Sequence, residues 1–132
     1  MNPVVGSGRA AFQEAGRTLA AHGLVHASEG NLSTFDGERL TITRTRCALG
    51  SLTTADVLDG TLDAPPADAS SDLALHVAMY RQRGSGAIAH AHPSGTVPPG
   101  WVEGASHGTY AFAGSLADAV AEVVERYGGA GR

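Results

Sequence analysis

The order of periodicities along this chain predicts an α/β fold, a sheet covered by helices and mixed in direction because it contains a hairpin. Three observations carry that expectation. A helical stripe opens the chain and a stronger one closes it, an Asp36-Gly37 hairpin signal lies early, and the short apolar run Ala87 to Ala91 reads as a buried strand.

Taken in order, Phe12, Ala15, Gly16 and Leu19 recur at helical spacing, and Gly23 stands where a helix C-cap glycine belongs. Leu32 to Phe35 and Arg39 to Thr43 flank Asp36-Gly37 as antiparallel strands, with Leu40 and Ile42 on one face. Thr53 to Asp56 is a capping box, which predicts a short helix through Val57 and Leu58. Asp63 to Ala69, with Pro65 and Pro66, reads as a loop rather than a domain linker. Ser70 and Ser71 are placed to cap the next helix, whose Leu73, Ala74, Val77 and Ala78 lie on one side. Asp72 falls in its first turn, where a carboxylate favours the helix dipole, and His76 is within i, i+4 reach of Asp72. Ser94 to Gly100 is a Gly- and Pro-containing loop, and Trp101-Val102 and Tyr110 to Phe112 are short strands. Ser115 to Asp118 caps the last helix, in which Leu116, Ala119, Val120, Val123, Val124 and Tyr127 form the best apolar stripe before Gly128-Gly129.

Length and composition describe one domain, residues 1–132, that buries roughly two-thirds of its unfolded surface. A formal net charge of -4 provides no basic patch for nucleic acid and no cationic helix for a membrane. No apolar run is long enough to span a bilayer, and the N-terminus lacks an apolar core behind a basic start. The single Cys47 excludes an internal disulfide, reads as an inert half-buried thiol, and points to a reducing, cytoplasmic setting.

His90 and His92 sit two apart on the Ala87 strand and share one face, with Ala89 and Ala91 on the other. Side chains at that spacing stand roughly 6.5 to 7 Å apart at Cα, and two imidazoles leaning together can reach one cation. With six histidines in the chain, chance yields about 0.3 such pairs, so two merely hydrogen-bonded histidines are an equal reading of the pair alone.

Gly23-Leu-Val-His-Ala-Ser-Glu-Gly-Asn31, then Leu40-Thr-Ile-Thr43, then Ser70-Ser-Asp72 with His76, then His90-Ala-His-Pro93 resemble in order the class II aldolase/adducin family, which includes fuculose-phosphate aldolase and ribulose-phosphate 4-epimerase. The family's third metal-binding histidine lies in a His-Gly pair before a strand and helix, a pattern that His107-Gly108-Thr-Tyr-Ala-Phe matches. The chain reads as a shortened member, without the block usually found between the second and third histidines and without the helices beyond Tyr127. The resemblance implies a three-layer α/β/α fold around a central mixed, largely antiparallel sheet.

It also implies a site. His90, His92 and His107 would hold a divalent ion, zinc by preference, with an open position that receives the two oxygens of an enediolate. Asp72 takes the place of the carboxylate that moves the proton, where aldolases of the family have glutamate and epimerases aspartate; one methylene decides whether it shuttles a proton or ligates metal. Ser28, Asn31, Thr45, Arg46, Ser70 and Ser71 occupy the positions that face the substrate phosphate. Glu29 adds a negative charge there, and Thr45-Arg46 replaces the usual serine and glycine. Arg46 could bind phosphate bidentately or simply fill the space.

Two readings of function follow. One is a metal-dependent aldolase or epimerase acting on a small phosphorylated sugar or a hydroxy-carbonyl compound; zinc-bound water performing hydrolysis would use the same ligands. The other is a catalytically degenerate member serving as a metal-binding or assembly module. Family enzymes complete their sites from the C-terminal part and from a neighbouring subunit, and Tyr110 and Tyr127, the few candidates here, read as core packing. The resemblance implies a homo-oligomer, a cyclic tetramer.

Overall fold

The computed structural model describes residues 3–92 and 109–128. Helix α1 (Pro3–Ala21) is followed by strands β1 (Asn31–Phe35) and β2 (Leu40–Thr43), 3-10 turns at Leu49–Ser51 and Thr54–Asp56, and strand β3 (Val57–Gly60). Helix α2 (Leu73–Arg83), strands β4 (Gly86–Ala91) and β5 (Thr109–Ala113), helix α3 (Leu116–Val123) and a wide turn (Val124–Gly128) complete it. The five strands form one sheet in the order β3-β2-β1-β4-β5.

Local signals explain much of this. Helix α1 ends where Gly23, at φ +70, lets the Gly23 and Leu24 amides turn back onto the carbonyls of Ala20 (3.0 Å) and Leu19 (2.9 Å), a Schellman cap. Asp36 closes the β1–β2 hairpin by accepting the Glu38 and Arg39 amides on Oδ1 at 2.8 and 2.6 Å. Ser115 caps α3 by accepting the Asp118 amide at 3.1 Å.

Alternation along the strands then sorts the two faces. Leu32, Ala87, Ala89, Ala91 and Ala111 pack with Phe12, Leu19, Val120 and Val123 of α1 and α3. Phe35, Leu40 and Ile88 face Tyr80 of α2 on the other side. The outcome is three layers, helices over both faces of the sheet. Among the described strands every pairing is antiparallel, so the expected mixture of directions is not found in this part of the sheet. The reason is the return path of the chain after β3. Ala69 bridges Arg44, the Thr45 amide bonds the Asp68 carbonyl (2.8 Å), and the Ser70 amide bonds the Thr43 carbonyl (3.1 Å), which brings the chain back to the end of the sheet where β1 starts. Helix α2 therefore runs away from that end, and β4 comes back to it antiparallel to β1.

Three local expectations are corrected. The Thr53–Asp56 capping box exists, but the turn stops at Asp56 and Val57 continues as β3, pairing with Thr43; tertiary pairing at the free edge of β2 outweighs the helical start signal. Helix α2 begins at Leu73, with Asp72 at the N-cap position rather than in the first turn, and Ser70 Oγ accepts the Asp72 amide (3.2 Å) instead of capping the helix itself. Its inward side carries the buried His76 and Tyr80 with half-buried Leu73 and Val77, whereas Ala74 and Ala78 are exposed. The loop from Ser94 to Gly100, Trp101-Val102 and His107 lie outside the described residues. Cys47 is buried, and burial pushes its thiol pKa up.

Candidate active site

The site grows from a coincidence of two repeats. Residues of one strand face recur about every 6.6 to 6.8 Å, and helical residues four apart rise about 6 Å, so α2 laid over the sheet can match strand rows turn by turn. Pairing sets Asn31 of β1, His90 of β4 and Tyr110 of β5 side by side in one row, and Ser33, Ile88 and Phe112 in the next. Above them α2 places Asp72, His76 and Tyr80 at i, i+4 and i+8.

In the first row three polar groups meet. Asn31 Nδ2 donates to Asp72 Oδ2 at 2.8 Å, and His90 Nδ1 lies 2.9 Å from the same oxygen and 3.2 Å from the Asn31 nitrogen. With its proton on Nδ1, His90 donates to Asp72 and carries its lone pair on Nε2, the relation by which carboxylates orient metal-binding imidazoles. Tyr110 stacks on His90, ring centroids 3.9 Å apart at 18°, and its hydroxyl hydrogen-bonds Asp72. Behind this row Ser33 Oγ lies 2.6 Å from His76 Nδ1 and 2.7 Å from the Tyr80 hydroxyl, while His76 Nε2 bonds Asn31 Oδ1. The expected His76 to Asp72 side-chain bond is not made; only the His76 backbone amide reaches the Asp72 carbonyl.

Burial, reinforced by the neighbouring His92, holds the His90 ring neutral, with its pKa down to about 3. Burial alone lowers His76 to about 4 against a small opposing pull from Asp72. For Asp72 burial acts upward, but the Asn31 bond, His90 and the Tyr110 hydroxyl together outweigh it and keep the carboxyl below its ordinary range. Burial and the Asp72 charge raise the Tyr110 phenol. At neutral pH the first row thus holds a neutral imidazole, an ionised carboxylate and a protonated phenol.

A cavity of about 280 Å³ opens beside this row. Its walls hold Ser28, Asn31, Thr45, Arg46, Ser70, Ser71, Asp72, His90 and His92, which are the metal, proton-transfer and phosphate residues implied by the resemblance that lie within the described range. His107 lies outside that range. Within the cavity wall the roles differ from simple expectation. Both ends of the Asn31 amide are engaged, the nitrogen by Asp72 and the oxygen by His76, so its side chain orients neighbours rather than facing a phosphate. Glu29 folds back, its Oε1 accepting the His26 amide at 3.1 Å. Arg44 is turned away onto Asp56. Arg46 is exposed, has no ion-pair partner among the described residues, and sits at φ +66, in the left-handed region where glycine is at ease. Gly30, at φ +82, holds the first loop against the pair: a Cβ there would stand 2.7 Å from the His90 carbonyl oxygen.

Among the described residues no three histidine, cysteine or carboxylate side chains are grouped to hold a metal ion. The donors present still suit one. His90 and His92 point their rings to the same side, centroids 4.7 Å apart, with His90 neutral and backed by a carboxylate. No local motif in the sequence singles out Ser33 or Tyr80, and Tyr110 reads from the sequence as core packing. The i, i+4, i+8 alignment of Asp72, His76 and Tyr80 was the available signal.

Residues 10–98 match the family model described as "Class II Aldolase and Adducin N-terminal domain", a span that contains His90 and His92 and stops short of His107. Methylthioribulose-1-phosphate dehydratase of Bradyrhizobium sp. (strain BTAi1 / ATCC BAA-1182) is 40% identical over 82 residues, covering 60% of this chain and 38% of the dehydratase. The crystal structure of l-fuculose-1-phosphate aldolase from Thermus thermophilus is 38% identical with a TM-score of 0.59, over 64% of this chain and 44% of the aldolase. YgbL from Escherichia coli, at 18% identity and a TM-score of 0.69 over 91% of this chain and 86% of its own, shares the fold. The chain spans less than half the length of the dehydratase and of the Thermus aldolase.

Proposed function

The chain belongs to the class II aldolase and adducin N-terminal domain family, and from that premise we propose that the cavity is the site of a divalent-metal-dependent lyase or epimerase acting on a small phosphorylated sugar or a related hydroxy-carbonyl compound. The observation that carries this reading is the meeting of Asp72, Asn31 and His90 within 3.2 Å of one another at the wall of a polar cavity that also presents Arg46, Ser70 and Ser71. Sugar phosphates also appear in the names of the dehydratase and aldolase relatives.

His90 and His92, with His107 as third donor, would hold the ion, zinc by preference for imidazole. When bound, it supplies Lewis-acid stabilisation of negative charge on substrate oxygens. The remaining work falls to side chains of this chain. Asp72, kept ionised by its donors, accepts a proton from the substrate and returns it. By holding Oδ2, Asn31 and His90 fix the direction of the carboxylate. Tyr110, held protonated, donates a hydrogen bond to Asp72 and covers one face of the His90 ring. Arg46, Thr45, Ser28, Ser70 and Ser71 take the phosphate, Arg46 as a bidentate donor. The protein is proposed to act as a cytoplasmic homo-oligomer, a tetramer by family analogy, which sedimentation would test; no helix among the described residues is long and apolar enough to cross a membrane.

Turnover of phosphorylated ketoses in the presence of zinc tests the reaction. The expected result is a three-carbon aldol product, an epimer or a dehydrated ketone, with Asp72→Asn lowering the rate at least about 100-fold while leaving bound metal in place. Metal retention with no turnover of any such substrate would replace the enzyme reading by that of a metal-binding or assembly module.

A further inference from the structure

We infer that His76, which does not line the cavity, is a positioning residue: it locks the Asn31 amide in one orientation and through it aims Asp72 and His90. The inference rests on the proposed site, because what is positioned is that site's carboxylate and imidazole.

The direction of each hydrogen bond is forced. An ionised carboxylate only accepts, so the Asn31 atom 2.8 Å from Asp72 Oδ2 must be the amide nitrogen, which leaves Oδ1 toward His76. A carbonyl oxygen only accepts as well, so His76 must carry its proton on Nε2. The ring is fully buried and neutral, so Nδ1 then accepts from the Ser33 hydroxyl, whose oxygen accepts in turn from the Tyr80 hydroxyl. Donors run one way from Tyr80 through Ser33, His76 and Asn31 to Asp72. Turning the Asn31 amide over would oppose two acceptors at Asp72 and two donors at His76. No buried side-chain polar atom among the described residues lacks a partner, so the chain of bonds is complete. A histidine serving only as core filling would not need its tautomer tied to the orientation of a residue in the cavity wall.

Two conservative variants separate positioning from filling. In His76→Gln the side-chain amide nitrogen replaces Nε2 as donor to Asn31; in His76→Asn the shorter amide reaches the Ser33 side and leaves Asn31 Oδ1 without a donor. Each variant loses one of the two bonds, so a purely structural role would place them level. Zinc affinity by chelator competition should stay within about 3-fold of wild type for His76→Gln and fall about 10- to 100-fold for His76→Asn. Equal affinities in the two variants, both folded, would overturn the inference. Nitrogen NMR on metal-free wild type is the independent arm: a proton on His76 Nε2, and Asn31 side-chain amide signals moved by His76→Asn but not by His76→Gln, support it, and a proton on Nδ1 overturns it. Should wild type bind no zinc, the site reading fails while the NMR arm still decides the orientation. If His76→Asn does not fold, the wild-type proton assignment still decides, Nε2 supporting the inference and Nδ1 overturning it.

Discussion

The two faces of the sheet are made from the same strands and have been put to opposite uses. Toward α1 and α3, β4 presents only Ala87, Ala89 and Ala91 and β1 presents Leu32, packed against Phe12, Leu19, Val120 and Val123. Toward α2 the alternate residues are Asn31, Ser33, His90 and Tyr110, tied to Asp72, His76 and Tyr80. The first face is apolar throughout its core, whereas the second joins its chemistry to the smaller apolar cluster of Phe35, Leu40, Ile88 and Tyr80. Separation by the twofold strand period lets small alanines bring helices close on one side while the other side holds a chain of polar groups that would weaken a plain core.

The sharpest way to break the comparison is to damage only the apolar face. Leu19→Ala, at a fully buried position, should cost about 2–5 kcal/mol in urea unfolding while leaving zinc affinity of the folded protein unchanged; a matching loss of affinity would show that the faces are not independent.

Acid should act on the polar face. His76 has a folded-state pKa of about 4 against 6.5 when exposed, so between those values the unfolded chain binds a proton that the folded one refuses. Stability is therefore full above pH 6.5 and declines as pH falls toward 4, by about 3 kcal/mol from this ring. His90, lowered to about 3, adds in the same direction. Unfolding measured across that range should show a shallower decline in His76→Gln than in wild type, and identical slopes would contradict the assignment.

The smallest effect on stability belongs to Arg46. Its left-handed backbone costs about 1–2 kcal/mol, a strain that Arg46→Gly would relieve and that glycine's extra unfolded freedom would partly restore. Net stability should change by less than about 1 kcal/mol, whereas inorganic phosphate measured by calorimetry should bind about 10-fold more weakly through loss of a charge-assisted donor. Unchanged phosphate binding would remove Arg46 from the site.

What could be read in advance follows the range of each interaction. The hairpin at Asp36-Gly37, the Gly23 cap, the Ser115 cap and the shared face of His90 and His92 all depend on neighbours within a few residues, and all are found. The edge strand Val57–Gly60 was hidden because its start signal is a helix signal and its partner is remote. Ser33 and Tyr80 were hidden for a related reason. A lone serine between Leu32 and Thr34 looks like a solvent-facing strand position until pairing places it under α2. Arg46 looked like a departure from the family's glycine, and its positive φ now gives a physical reason why glycine is usual there. The family resemblance brought together residues from four stretches of sequence that no local rule connects, and the cavity unites those within the described range.

His90 and His92 are proposed as ligands of one ion. Elemental analysis of the purified full chain, beside His92→Ala, tests it most directly. Wild type should hold close to one equivalent of zinc or a similar divalent ion and the variant none; wild type that stays metal-free after reconstitution with zinc would mean that the two imidazoles share no ion.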